Sequence, residues 1–480
     1  MPDLAEFLAH VSHEERAGPQ DLAQVAFRSV STDSRSLSAG AMFFALSGPR
    51  FDGSAFVAGA AEHGAVAAVV SRITPEHRDL GLPIIRVRDV VHALTQWAEH
   101  WRAQWPGRVT AVCGSNGKTT VKQMIAAIFS QAVGTAQSWA TPGNLNNHIG
   151  VPLSVCGLSS AHQLAVLELG MNHPGEIPAL ARIARPQVAV VTNAQREHQE
   201  FMKSVAAVAE ENGQVFSALP PDGVAVFPRD AAHEVIWRAQ IGVRRMIRFG
   251  FADDPGDARY VGEEVLGRWM PSTDASLSRL QVTLPSGEAF DLPLQGVGDH
   301  FALNALAAIA CAVANAIDAR SIRQALAEFV PVKGRGQRRP LGGGGVLVDD
   351  TYNANPDSVR AAIDALVRLP APRGLVLGDM GEVGDQEAAF HQEVLRYAGD
   401  HAIDAIWLHG PAFTQASRAT GIGRSSAELS ELTERIREWA RHAQSDARAP
   451  SVWVKGSRFM AMERVVAHLV APEGEVSTCC

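Results

Sequence analysis

An apolar run, Val109-Thr110-Ala111-Val112-Cys113, enters Gly114-Ser115-Asn116-Gly117-Lys118-Thr119-Thr120 and leaves as an apolar helical segment from Val121. A strand, a glycine turn and a helix N-terminus in that order gather backbone N–H groups and a lysine around a polyphosphate, with a threonine hydroxyl in reach of a cation. The loop departs from the full GxxxxGK[ST] pattern, because Val112 stands at the first glycine position. The plain alternative is an ordinary strand-to-helix turn with an incidental Gly-Lys pair; the flanking strand and helix favour nucleotide binding.

The same alternation fills most of the chain. Short apolar runs at residues 41–46, 65–70, 109–113, 164–169, 188–192, 346–350, 374–378, 405–409 and 451–455 are separated by segments of helical period. Those segments include 54–64, 89–105, 118–131, 176–184, 204–219, 299–317, 321–329, 356–369, 386–401, 431–443 and 458–470. Apolar runs between helices predict α/β domains with parallel sheets covered on both faces. Residues 251–298 differ, with turn formers at 253–256 and 285–287 and alternating Val282, Leu284, Phe290 and Leu292, and predict a β excursion. Glycines and prolines between 331 and 345 read as a linker.

At 480 residues the chain exceeds one ordinary core, and the pattern divides it at 1–90, 91–332 and 333–480. Hydrophobic residues make up 46% and charged residues 20%, enough apolar surface to fold without a partner. A net charge of -8, from 43 basic and 51 acidic residues with no basic stripe, argues against nucleic acid. The start has no basic segment followed by an apolar one, and no long uncharged apolar run appears, so a cytoplasmic protein without membrane insertion is expected. Cys113, Cys156, Cys311, Cys479 and Cys480 show no zinc spacing and read as core fillers plus a tail pair.

The shortened loop resembles that of the Mur ligases and of their relatives that lengthen folate with glutamate. The likeness extends through Thr141-Pro142-Gly143-Asn144-Leu145-Asn146-Asn147-His148-Ile149-Gly150-Val151-Pro152, similar to the family's substrate loop in members that add D-alanyl-D-alanine. It continues in Glu168-Leu169-Gly170-Met171-Asn172-His173 and Asp349-Asp350-Thr351-Tyr352-Asn353-Ala354-Asn355-Pro356. The resemblance implies three parts: a small α/β uridine-nucleotide-binding module, a central P-loop parallel-sheet ATPase domain and a C-terminal Rossmann-like α/β domain. It also implies an ATP-dependent amide ligase that uses Mg2+ and joins D-alanyl-D-alanine to UDP-N-acetylmuramoyl-tripeptide through an acyl phosphate, acting as a monomer.

By the same resemblance, ATP is held by Gly114, Ser115, Asn116, Gly117, Lys118, Thr119, Thr120, Asn304, Arg335, Asp350 and Tyr352. Mg2+ falls to Thr119, Glu168 and His198, and the chemistry to Lys118, Glu168 and His198. Ser34 and Arg35 are implied at the uridine diphosphate, Thr141, Asn144, Asn146 and Asn147 at the sugar nucleotide and peptide, and Asn353, Asn355, Lys455 and Ser457 at substrate in the last domain. Residue by residue, plainer readings stay open. Glu168 ends an apolar strand, where a buried carboxylate needs a cation or a salt bridge. His198 follows a strand as a loop histidine, the asparagines of 144–147 suit any turn, and Arg335 equally fits a solvated linker.

Two departures from the family stand out. Asp299-His300-Phe301-Ala302-Leu303-Asn304 resembles the family's adenine-side helix, with Phe301 where asparagine is usual, a difference that bears more on His300 than on Asn304. Asn212 aligns with a lysine that many Mur ligases carry carbamylated to help hold a second Mg2+; asparagine brings no charge, so either that second metal is weakened or Glu210 or Glu211 supplies the charge, with a solvated helix face as the plain alternative. The rival readings are a family ligase for another amino acid and a nucleotide-switched binding protein that hydrolyses ATP without ligation. The polar module around Ser31-Thr32-Asp33-Ser34-Arg35 argues against a folate ligase, which would lack it.

Overall fold

The computed structural model describes residues 2–19, 25–48, 51–253, 262–272, 277–342, 344–445 and 449–470. The turn formers at 254–256 and the cysteines at 479 and 480 lie outside them. The chain divides into two compact units, residues 1–111, 135–171 and 175–187, and residues 112–134, 172–174 and 188–480.

In the first unit a five-stranded sheet runs in the order Glu15–Ala17, Ile84–Arg86, Ala67–Val70, Ala41–Phe44, Ser29–Ser31, antiparallel only at its first pair. Ala41–Phe44 and Ala67–Val70 are buried at every position, which is why they read as continuous apolar runs. Phe7, Phe27, Met42, Phe44 and Trp97 fill one face and Leu37, Phe43, Val57 and Ile84 the other. Trp97 belongs to helix Val90–Gln104, started by the Asp89 carboxylate, which accepts from the N–H groups of Val91 and His92. The unit also holds the parallel pair Ser138–Ala140 and Leu164–Glu168 and the helix Gly150–Cys156.

In the second unit, strands Val188–Val191, Val224–Pro228, Arg245–Phe251 and Glu263–Met270 run parallel, and Ser278–Thr283 and Ala289–Leu294 continue the sheet antiparallel. The β excursion is therefore present as three strands. Helix Asp299–Ala314 lies across this sheet and against helix Lys118–Val133. Its residues 301–312 are nearly all small or apolar and buried, so it serves as the central packing element. A further six-stranded sheet runs Gln337–Pro340, Val346–Asp350, Ser451–Lys455, Arg373–Gly378, Ala405–His409, Arg424–Ser425, parallel apart from its first strand.

The expected linker at 331–345 is thus partly structured. Gln337–Pro340 pairs with Val346–Asp350 in the register Gln337↔Asp349 to Pro340↔Val346. Its polar residues hide an edge strand from a hydrophobic pattern, and a terminal proline is tolerated at an edge because no ladder N–H is needed there.

Gly298 shows how closely the helix meets the last domain. Its φ is +87°, and a Cβ there would lie 2.7 Å from Cβ of Ala365 on helix Pro356–Leu366. Asp299 beside it is paired with Arg368. Gly298→Ala is expected to cost about 1–3 kcal/mol through combined strain and overlap, read as a lower urea midpoint at an unchanged slope. A change below about 0.5 kcal/mol, the range of ordinary surface substitutions, would show that the contact relaxes freely.

Candidate active site

The phosphate loop takes its shape from neighbours that leave no room for side chains. Gly114 has φ +120°, and a Cβ would sit 2.2 Å from Thr192 Oγ1; Gly117 has φ +84° and would meet Asn304 Oδ1 at 2.2 Å. Only glycine suits either position. The turn after Val188–Val191 then braces the loop. Asn193 O accepts from Ser115 N–H at 3.1 Å, Asn193 Oδ1 from Asn116 N–H at 2.9 Å, and Asn116 O from Thr192 Oγ1 at 2.7 Å. Gln195 completes it, taking Asn116 Nδ2 at 2.6 Å and Ser115 Oγ at 3.2 Å.

Lys118 opens helix Lys118–Val133. Its ammonium donates to Ser115 O at 3.1 Å and to Gly114 O, and stands 3.3 Å from Glu197 Oε2. Thr120 is buried, and Thr119 Oγ1 accepts from Arg335 Nη2 at 3.0 Å, with the same guanidinium 3.7 Å above the Tyr352 ring. Arg335 is thus no solvated linker residue. Asn304 is buried against Gly117. His300, in contrast, is held below its ordinary pKa by burial, with Asp350 and Lys455 as neighbouring charges, and Phe301 packs at Gly296 and Phe329.

His198 has φ +46°, an uncommon backbone for a non-glycine residue, and its Nδ1 lies 2.8 Å from Glu382 Oε2. Glu382 also has positive φ, +59°. The His198 contact holds its carboxyl below the usual range, with Lys118 adding a smaller pull. Between Gln195 and Glu197, Arg196 grips the last domain, donating to Asp357 Oδ1 from Nε at 3.0 Å and to Glu393 Oε2 from Nη1 at 2.8 Å. Asn355, whose Oδ1 caps helix Pro356–Leu366 through Ser358 N–H at 2.8 Å, donates from Nδ2 to Asn116 Oδ1 at 2.9 Å.

Asp350 and Lys455 form a nearly buried ion pair at 2.7 Å, and Lys455 also donates to Asn353 O at 2.9 Å. Ser457 is buried, donating to Ala354 O at 3.1 Å and accepting from Gly381 N–H at 2.8 Å. The Asn353 side chain is exposed. Asp379 accepts from the N–H groups of Ala412 and Phe413 at the start of helix Pro411–Thr420. That is a helix-terminus contact of the usual acidic kind.

The first unit gathers another group. Glu168 is buried, its N–H donates to Thr141 Oγ1 at 2.9 Å, and its Oε1 accepts from Asn146 Nδ2 at 2.9 Å. Asn147 Oδ1 accepts from the N–H groups of Ile149 and Gly150 at the head of helix Gly150–Cys156, and Asn144 is exposed. In the amino-terminal module Ser34 is half-buried and Arg35 is exposed, paired with Asp33 at 2.8 Å. Arg35 holds the Asp33 carboxyl down to about 2.

Several residues escape a reading by motif: Thr192, Asn193, Gln195, Arg196, Glu197, Glu382 and Asp357. The one signal available was the run Asn193-Ala194-Gln195-Arg196-Glu197-His198, where a polar cluster directly after an apolar strand marks the ligand end of a parallel sheet. Asn212 is buried in helix Val205–Ser217, and its near charge is Glu197 from that turn; Glu210 is exposed and Glu211 buried on the same helix.

The Asp350–Lys455 pair also changes what a substitution at Asp350 reports. Asp350→Ala leaves a buried ammonium without its carboxylate, so a stability loss of about 3 kcal/mol is expected. Thermal unfolding with and without a saturating nucleotide checks it. An undiminished melting temperature with weaker nucleotide affinity would instead mark Asp350 as a ligand contact alone.

Family models match in three blocks: "Mur ligase family, catalytic domain" at residues 26–102, "Mur ligase middle domain" at 112–312 and "Mur ligase, glutamate ligase domain" at 334–458. The UDP-N-acetylmuramoyl-tripeptide--D-alanyl-D-alanine ligase of Escherichia coli (strain K12) is 37% identical over 447 residues, covering 93% of this chain and 94% of that one. The crystal structure of MurF from Acinetobacter baumannii aligns with a TM-score of 0.82 at 29% identity over 94% of this chain and 98% of that one. MurF ligase from Thermotoga maritima, in complex with ADP, aligns with a TM-score of 0.76 at 25% identity over 93% and 97%. With three domain matches in order and one relative alike from end to end, the chain belongs to the Mur ligase family.

Proposed function

We infer that the protein is an ATP-dependent ligase that joins D-alanyl-D-alanine to UDP-N-acetylmuramoyl-tripeptide through an acyl phosphate, giving the pentapeptide precursor of peptidoglycan. The observation that carries this is the end-to-end likeness to a ligase of that name, on a chain whose braced phosphate loop is intact. The likeness includes the amino-terminal module, matched at residues 26–102, which supports a uridine-nucleotide substrate over a folate.

In this reading Lys118 meets the oxygens of the phosphoryl group as it passes to the tripeptide carboxylate, and Gly117, Thr119 and Thr120 offer the helix N-terminus to the same phosphates. Gly114, Ser115 and Asn116 act by shape, since their N–H groups are bonded to Asn212 and Asn193. Asn304, Arg335, Tyr352 and Asp350 are the proposed nucleotide contacts. Thr141, Asn144, Asn146 and Asn147 are proposed for the sugar and peptide, Ser34 and Arg35 for the uridine diphosphate, and Asn353, Asn355, Lys455 and Ser457 for substrate in the last domain. The amine of D-alanyl-D-alanine then attacks the acyl phosphate and phosphate leaves.

Thr119, Glu168 and His198 are the proposed Mg2+ donors. A buried carboxylate steadied by Asn146 and a threonine hydroxyl suit a hard cation, and imidazole is the weaker partner. Mg2+ held by these residues would supply positive charge to the transferring phosphoryl oxygens. Among the described residues no helix is long and apolar enough to cross a membrane, and Cys113, Cys156 and Cys311 are free thiols. Both fit a cytoplasmic enzyme, and we take it to act as a single chain.

Phosphate release tests the reading. Purified protein with ATP is expected to release phosphate only when both UDP-N-acetylmuramoyl-tripeptide and D-alanyl-D-alanine are present; equal release without them would favour a nucleotide switch. Running the meso-diaminopimelate and lysine tripeptides side by side identifies the third residue. Lys118→Ala is expected to lower turnover by more than about tenfold, a barrier increase above about 1.4 kcal/mol. Because Asn212 cannot be carbamylated, turnover is expected to be indifferent to bicarbonate. Recovery by bicarbonate after degassing at mildly acidic pH would point to another lysine, such as Lys203.

A further inference from the structure

Two buried polar side chains beside the phosphate loop have no part in the reaction as described. Glu197 is 5% exposed and Asn212 is 1% exposed. Asn212 Oδ1 accepts from Gly114 N–H at 2.9 Å, while its Nδ2 donates to Glu197 Oε1 at 3.2 Å and to Val208 O at 3.2 Å. The other carboxylate oxygen of Glu197 faces Lys118 Nζ at 3.3 Å. One amide therefore ties the first residue of the loop to the carboxylate that faces the loop's lysine.

We propose that Glu197 and Asn212 are a positioning pair for Lys118, fixing its ammonium over the loop before a nucleotide arrives. A lysine needs such help: its four-carbon stem is flexible and its ammonium has no preferred direction. The carbonyls of Gly114 and Ser115 draw the ammonium toward the loop backbone, and Glu197 fixes the remaining direction. Asparagine suits position 212 because the site needs an acceptor for Gly114 and a donor for Glu197 on one planar group. Aspartate would offer two acceptors and face Glu197 with like charge; leucine would leave a buried N–H and a buried carboxylate short of a partner.

The pair has a cost that makes it testable. A carboxylate 3.3 Å from Lys118 weakens the field that attracts phosphate, so its gain must appear in the reacting geometry rather than in nucleotide affinity. The turnover arm rests on the ligase reading above; the labelling arm does not.

Two measurements decide it. The first is acylation of Lys118 by acetic anhydride in the nucleotide-free protein, followed by peptide mass spectrometry. Glu197→Gln and Asn212→Ala are each expected to speed it by about threefold or more, as loss of an ion pair of ordinary strength would. The second is steady-state ligation set beside ADP binding by calorimetry. Glu197→Gln is expected to lower kcat about tenfold or more with ADP affinity unchanged or tighter, and Glu197→Asp, which keeps the charge, to recover part of kcat. The double variant is expected to lose no more than the worse single one, because both act through Lys118. Should Asn212→Ala fail to fold, Glu197→Gln carries both measurements. Unchanged labelling of Lys118 in Glu197→Gln overturns the proposal whatever turnover does, as does a kcat loss matched by an equal loss of ADP affinity. A wild-type chain that labels as expected but never ligates D-alanyl-D-alanine would sink the functional reading and leave the pair standing.

Discussion

At Gly114 and Gly117 other atoms of the chain occupy the space where a side chain would be, and both residues hold a left-handed or related backbone. The crowding comes from Thr192, directly after strand Val188–Val191, and from Asn304 on the helix that covers the sheet. The phosphate loop is thus cast against the domain's own core packing. Its geometry persists as long as helix Asp299–Ala314 keeps its buried face of small residues on the sheet. A rigid loop of this kind presents its helix N-terminus without reorganisation when a phosphate arrives, which is what electrostatic catalysis requires of a site.

The turn from Thr192 to His198 does double duty. Its first half, Thr192, Asn193 and Gln195, bonds to the loop, and its second half reaches the last domain through Arg196 and His198. Asn116 and Thr119 add direct links to Asn355 and Arg335. Each partly exposed contact is weak alone. They share one short segment, however, so a shift of the last domain is felt at the loop. The connecting segment has glycines with positive φ at Gly334, Gly336, Gly344 and Gly345, positions where a chain turns at low cost. Such an arrangement suits a ligase that must hold ATP against the carboxylate it activates and exclude water from an acyl phosphate.

Much of the architecture was legible from residues alone, for a definite reason. Strands buried on both faces, such as Ala67–Val70 and Val188–Val191, must be apolar at every position, and the helices between them must repeat at 3.6 residues. The edge strand Gln337–Pro340 was not legible, because an edge tolerates polar side chains and proline. Nor were the short strands Glu15–Ala17 and Ser29–Ser31, only half-buried and held mainly by backbone pairing.

For the site, the chain order by itself determined the chemistry available: a glycine-framed lysine at a helix start, a carboxylate ending an apolar strand, and asparagine-rich loops after others. Those signals are local, since each is a residue type at a fixed distance from a strand end. What only the tertiary structure decided is which of these groups meet. Asp350 meets Lys455, Asp379 meets a helix N-terminus, Arg335 meets Thr119, and Glu197 with Asn212 meets Lys118 and Gly114. The partners in these contacts lie between 33 and 216 residues apart along the chain. Separations of that size carry no periodic or motif signal, because a hydrogen bond a few ångströms long is set by how sheets and helices pack and leaves no trace in the spacing of the residues that make it.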